Sequence, residues 1–140
     1  MRTSKDCIFC KIVAGEIPSI SVYEDALALA VMDISPLSRG HLLVIPREHF
    51  GSILEIDPEL YGHLCSVICK LSKAVQSAIG PDGMNVLQLN GRAANQLVPH
   101  LHIHLVPRWT GDGLRISDWD SAPGNSAEIV AAAEQIRGKL

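Results

Sequence analysis

His100-Leu101-His102-Ile103-His104-Leu105-Val106 is the stretch on which the reading of this chain turns. Histidine and apolar residues alternate along it, which is the period of a half-buried β-strand. Side chains alternate across a strand, so His100, His102 and His104 share one face and Leu101, Ile103 and Leu105 the other. The apolar face belongs in a core, and the histidines look into a cleft or solvent. Two-residue steps set neighbouring imidazoles about 7 Å apart along the backbone, near enough for several to touch one small ligand. Pro107 is expected to end the strand, because it cannot donate to a ladder.

A neutral imidazole nitrogen is a good nucleophile near neutral pH. It can attack phosphorus and form a covalent intermediate that water then hydrolyses. Neighbouring imidazoles can donate hydrogen bonds to phosphoryl oxygens or hand a proton to the leaving group. The rival reading of the same residues is a three-histidine zinc centre with an open coordination position.

Outward from this row, residues 84–89 form a second strand pattern, and residues 90–98 are a polar loop between the two. Further upstream lies the clearest helix. Asp57 suits its N-cap and Pro58 its first position. Leu60, Leu64, Val67, Ile68, Leu71, Val75 and Ile79 make one apolar stripe, and Gly80-Pro81 stops it. Residues 19–23, 27–32 and 41–45 are strand-like. A short helix is expected over 7–14, a C-terminal helix over 126–139, and irregular structure over 109–125. Consecutive hairpins with one long helix imply an α+β domain, its antiparallel sheet of about five strands. Cys65 and Cys69 are expected to pack, and His63 to be solvated.

The chain has 140 residues, of which 47% are hydrophobic, with a net charge of -3. That is one ordinary domain, residues 1–140, able to bury a core without disulfides. No basic field is available to displace counterions, so a nucleic-acid partner is not expected, although a pocket for a small anion is compatible. No apolar run is long enough to span a bilayer, so a membrane is not expected either. The charged start Met1-Arg2-Thr3-Ser4-Lys5-Asp6 does not read as a secretory leader. A cytoplasmic location follows as the expectation, with the four cysteines present as thiols.

Several segments, in order, resemble the histidine-triad (HIT) family over about residues 7–110. The 100–106 stretch fits its His-φ-His-φ-His-φ-φ signature (φ, apolar), followed by Pro107-Arg108. Gly40-His41-Leu42-Leu43-Val44-Ile45-Pro46 is similar to its strand with a fourth histidine. Cys7-Ile8-Phe9-Cys10-Lys11-Ile12, Gly15-Glu16-Ile17-Pro18, Asp33-Ile34-Ser35-Pro36 and the 90–96 loop also match. The resemblance implies the HIT fold and a homodimer. It implies a nucleotide hydrolase or transferase acting at the α-phosphate of a purine nucleoside phosphoramidate, acyl-nucleotide or dinucleoside polyphosphate. His102 would be the nucleophile, His104 its phosphate partner, and His41 would complete the pocket. Asp33 would hold the ribose, its bland alternative being a turn cap. Ile8, Phe9, Ile12 and Ile17 would line the base pocket, or simply pack the core. Asn90, Asn95 and Gln96 are the candidates for contacts on the phosphate side.

The chain departs from the family pattern at Leu89, Asn95 and Leu97. Asn95 replaces a glycine, so either the backbone there accepts a left-handed residue or the loop differs. Leu89 and Leu97 remove polar groups from the phosphate side. A purine-nucleotide-binding module with little turnover is therefore the alternative function.

Cys7-x-x-Cys10 is spaced like one arm of a structural zinc site. Two core thiols and a redox pair are the other readings, the last lacking a βαβ context. Many bacterial HIT proteins supply two further ligands at positions that, by this resemblance, fall on His49 and His100. Two thiolates and two imidazoles suit zinc. In that case His100 leaves catalysis, and no catalytic metal is required.

Overall fold

The structure, a computed structural model, describes residues 1–116, 119 and 122–140. Helix α1 (Ile8–Val13) starts at Cys7, whose thiol accepts from the Cys10 amide, and the chain reverses at Gly15 with φ +76°. Strands β1 (Ser21–Glu24) and β2 (Ala28–Met32) form a hairpin. Its turn is held by the Asp25 carboxylate, which accepts from the amides of Leu27 and Ala28 at 2.8 Å. With β3 (Leu42–Pro46), β4 (Gly83–Gln88) and β5 (Ile103–Arg108) they make one antiparallel sheet in the order β1-β2-β3-β5-β4.

Helix α2 (Pro58–Ile79) is capped by Asp57, whose carboxylate accepts from the Leu60 amide, and by Gly80 in the left-handed region. Leu64, Val67, Ile68, Leu71, Ala74 and Val75 are buried at helical spacing. Helix α3 (Ser126–Arg137), capped by Asn125, adds Ile129, Ala132, Ala133 and Ile136. Both helices cover the sheet face carrying Ala28, Ala30, Met32, Leu42, Val44, Ile103 and Leu105. The opposite face carries Leu29, Val31, Leu43 and Ile45, and there α1 packs Cys7, Phe9 and Cys10. β2 and β3 are thus buried on both sides, which is why they read as unbroken apolar runs. Shortening Leu71 to alanine in this core would cost about 2–5 kcal/mol.

Four expectations change. The strand begins at Ile103, with His100 to His102 extended ahead of the ladder, and it runs through Pro107 to Arg108. Pro107 is tolerated because its carbonyl, and hence its missing N–H, faces the β3 side, where pairing has already ended at Leu105; Ser38 Oγ donates to that carbonyl. Cys65 and Cys69 are exposed, being rotated off the buried stripe of α2. His63 is paired with Asp25 at 2.8 Å instead of being only solvated. Of the 109–125 segment, which is irregular where described, Ser117, Asp118, Asp120 and Ser121 lie outside the described residues.

Candidate active site and metal centre

The register of β3 against β5 sets the first constellation. Leu43 stands opposite His104 and Leu42 opposite Leu105, so His41 and His104 emerge on the α1 face of the sheet. Across the β2–β3 pairing, the Asp33 amide donates to the His41 carbonyl at 3.0 Å, bringing its carboxylate beside the ring. Asp33 Oδ2 lies 3.5 Å from His41 Nε2.

Backbone groups fix the proton positions. The Leu37 amide donates to His41 Nδ1 at 3.0 Å, so in the neutral ring the proton sits on Nε2. His41 Nε2–H then donates to His104 Nδ1 at 3.0 Å, which leaves a proton on His104 Nε2. His102 Nδ1–H donates to the His100 carbonyl at 2.7 Å, leaving the lone pair on Nε2. The His102 and His104 ring centroids are 4.8 Å apart. A ring with a free lone pair stands next to a ring with a free N–H.

Burial favours the neutral form of all of them. It pushes His41 down to about 3 and His104 to about 2, with repulsion from His102 adding to both. His102 is also lowered by burial, against the pull of the His100 carbonyl. The Asp33 carboxyl is raised by burial, held back by the Ser35 amide that donates to it.

His102 alone of the three triad histidines lines a cavity of about 400 Å³. Its walls include Ile8, Phe9, Ile12 and Ile17 from the N-terminal segment, Val31 and Asp33 from β2 and its end, and Leu89, Asn95 and Leu97 from the loop. An apolar slot with a carboxylate at one side and a nucleophilic nitrogen at another suits a nucleoside monophosphate moiety. Asn95 adopts φ 67°, so the loop keeps its left-handed position with an asparagine in it.

Asn90 and Gln96, nominated as substrate contacts, do not line this cavity. Asn90 Oδ1 accepts from the Ile53 amide and its Nδ2 donates to Gln88 Oε1. Gln96 Oε1 accepts from the Gly91 amide, while its Nε2 donates to the carbonyls of Gly51 and Val98. Both side-chain amides brace the loop.

Trp119 escaped the sequence reading. Its indole lies 5.1 Å from the His41 ring and 4.7 Å from that of His104, and its Nε1–H donates to the Ser35 carbonyl at 3.1 Å. It also lines the 400 Å³ cavity. Nothing in the local spacing marks it, since its partners lie far away in the chain. An aromatic in a Gly-, Asp- and Ser-rich segment was the only available signal.

The second constellation joins Cys7, Cys10, His49 and His100, whose donor atoms all lie within 4.8 Å of one another. The Leu101 amide donates to the Phe50 carbonyl at 2.7 Å, which brings His49 alongside His100. Cys7 Sγ is 3.3 Å from His100 Nδ1, Cys10 Sγ 3.4 Å from His49 Nδ1, and the two Nδ1 atoms are 3.2 Å apart. His100 Nε2–H donates to the Pro46 carbonyl at 2.9 Å, so its Nδ1 offers a lone pair. Burial pushes the His100 ring down to about 4 and the Cys7 thiol up. A soft divalent cation would reverse that second shift by stabilising the thiolate. The donor set, Cys₂His₂ with all its donor atoms within 4.8 Å of one another and one ring oriented by a carbonyl, fits such an ion.

The HIT domain model matches residues 14–111. The chain belongs to the HIT family. Within it, adenosine 5'-monophosphoramidase hnt1 of Schizosaccharomyces pombe is 47% identical over 135 residues, covering 96% of this chain and 98% of that one. Among solved HIT structures, a HIT-like protein involved in cell-cycle regulation from Bartonella henselae matches with a TM-score of 0.90 at 36% identity, over 100% of both chains. A zinc-bound histidine triad family protein from Mycobacterium smegmatis matches with a TM-score of 0.87 at 33% identity, covering 98% of this chain and 94% of that one.

Proposed function

We propose that this HIT protein is a nucleotide hydrolase or transferase in which His102 becomes nucleotidylated. The observation that carries the reading is His102 itself: the triad ring that lines the cavity, its Nδ1–H tied to the His100 carbonyl and its Nε2 lone pair free. The purine and ribose occupy the apolar slot, with Asp33 accepting the ribose hydroxyls. Nε2 attacks the α-phosphorus, a P–N bond forms, and the bond to the leaving group breaks with its electron pair. His104 Nε2–H donates a hydrogen bond to the phosphoryl oxygens or the bridging atom, and the leaving group takes up from solvent a proton equivalent to the one the attacking water gives up. Water then attacks the same phosphorus, the P–N bond breaks, and the nucleoside monophosphate leaves. Kinship with the fission-yeast phosphoramidase favours a purine nucleoside phosphoramidate among the candidate substrates, ahead of acyl-nucleotides and dinucleoside polyphosphates.

Zinc is the cation we assign to Cys7, Cys10, His49 and His100, supported by the zinc-bound relative and the donor set. It would supply structural cross-linking between the N-terminal segment and the triad strand. A reducing compartment such as the cytoplasm keeps Cys7 and Cys10 available as ligands. A homodimer through β4 is supported by the open edge of that strand and by Val86, which is 53% exposed on it.

A side-by-side assay of phosphoramidates against dinucleoside tri- and tetraphosphates, with quenched samples read by mass spectrometry, tests the reading. A nucleotidyl group on His102 is expected. Purine-nucleotide binding by calorimetry with neither turnover nor the covalent species would overturn it in favour of a binding module. Leu89 and Leu97 in the cavity wall are the observation behind that second reading.

A further inference from the structure

We infer that the Cys7–Cys10 turn is a positioning element for His102, and that Phe9 is the part of it that touches the nucleophile. Phe9 sits between the two thiols in sequence and is buried. Its ring meets His102 edge-on at a centroid distance of 5.1 Å and an interplanar angle of 80°. It meets His100 in the same way at 5.7 Å and 82°. Edge-to-face packing restrains the rotation of the ring it meets.

A second connection runs through the backbone. The carbonyl that holds the His102 tautomer belongs to His100. The His100 ring is held at both nitrogens, with Cys7 Sγ at 3.3 Å and Cys10 Sγ at 3.6 Å from Nδ1 and the Pro46 carbonyl at 2.9 Å from Nε2. One cluster therefore fixes both the acceptor for His102 Nδ1–H and the ring packed on His102.

The element that carries Phe9 cannot hold its place by itself. α1 has six residues, far below the length at which a helix is stable alone. Its seat is the thiol–imidazole cluster and the sheet face beneath it. If the cluster comes apart, Phe9 keeps only the sheet face as its seat, and both restraints on His102 loosen. The metal-ligand group thereby acts on the nucleophile without touching substrate, and Phe9 acts on ring geometry in addition to lining the cavity.

The inference rests on His102 being the nucleophile, so its test reads the ring as well as turnover. Metal-loaded wild type, metal-loaded Phe9→Leu and Phe9→Tyr, and wild type stripped with a chelator are compared. The measurements are the ¹⁵N resonances of His102, calorimetric affinity for AMP, metal content, and kcat and KM with an adenosine phosphoramidate. Phe9→Leu is expected to keep its metal, to shift the His102 resonances, and to lower kcat by about tenfold to a hundredfold, over and above the loss of AMP affinity that follows from changing a cavity wall. Phe9→Tyr, which keeps the aromatic edge, restores kcat. Stripping moves the same His102 resonances in the same sense. Unchanged His102 resonances in Phe9→Leu, with the whole loss in KM, would reduce Phe9 to a wall of the base pocket and overturn the inference. So would a stripped protein that melts earlier with its His102 signals intact. Should stripping unfold the chain, the Phe9→Leu arm decides alone. If wild type forms no nucleotidyl-His102, the proposed reaction fails while the resonances still decide the positioning.

Discussion

At the start of the 100–104 row, His100 converges with His49 and two thiols, and the two imidazoles turn their Nδ1 atoms toward each other at 3.2 Å. Four residues later, His104 converges with His41 at 3.0 Å, and a proton already lies between them. Asp33, His41 and His104 also fall within the spacing of a metal site. Each cluster pairs two imidazoles in largely buried surroundings, one beside two thiols and the other beside a carboxylate, and the rings alone do not separate a ligand from a proton donor. The backbone does. A carbonyl, from Pro46, meets His100 and frees a lone pair; an amide, from Leu37, meets His41 and places a proton on its inner nitrogen. The direction of one hydrogen bond to each ring selects its chemistry.

The comparison is broken most directly at His102, which stands between the clusters. His102→Ala is expected to lower hydrolysis of an adenosine phosphoramidate by roughly a thousandfold or more while metal content stays that of wild type. Retained turnover would move the nucleophile elsewhere. Cys7→Ser addresses the other cluster. Metal analysis should show loss of the ion, and urea denaturation a loss of stability on the order of several kcal/mol. Activity should fall less than in His102→Ala.

Acid sharpens the contrast. His41 and His104 sit near 3 and 2 in the folded chain, well below the ordinary 6.5 of an unfolded histidine. Depressed folded values mean that their stabilisation is complete above about pH 6.5 and is lost as pH falls toward 3. A ring that stays neutral in the fold loses on the order of 1 kcal/mol of stabilisation per pH unit below pH 6.5. His102 faces both rings and Trp119 covers them. Asp33, whose carboxyl is raised, takes up its proton early and offsets part of the loss. Urea midpoints at pH 7 and pH 5 should differ accordingly, and a flat profile would mean that the folded and unfolded chains take up the same number of protons over that range.

Trp119→Leu is the mildest change. It removes the indole over His41 and His104 while keeping apolar cover. A fall in kcat of about three- to tenfold is expected, with metal content and melting temperature nearly unchanged. In a Trp109→Phe background, nucleotide binding should alter Trp119 fluorescence; silence there would separate the indole from the site.

The sequence by itself determined the alternation of the triad segment, the long helix with both caps, and the residue types at each cluster. These depend on periodicity and local capping, which a linear string records. It also brought out Cys7-x-x-Cys10, and from family resemblance the partners His49 and His100. Only the tertiary structure decided which nitrogen of each ring is free. That depends on the carbonyls of Pro46 and His100 and the amide of Leu37, and an amino-acid code does not say where a backbone group points. It likewise decided that Gln96 and Asn90 brace a loop, and that Trp119 covers rings more than a dozen residues away along the chain. Contacts that close such long loops come from packing the whole sheet, and no local pattern marks them.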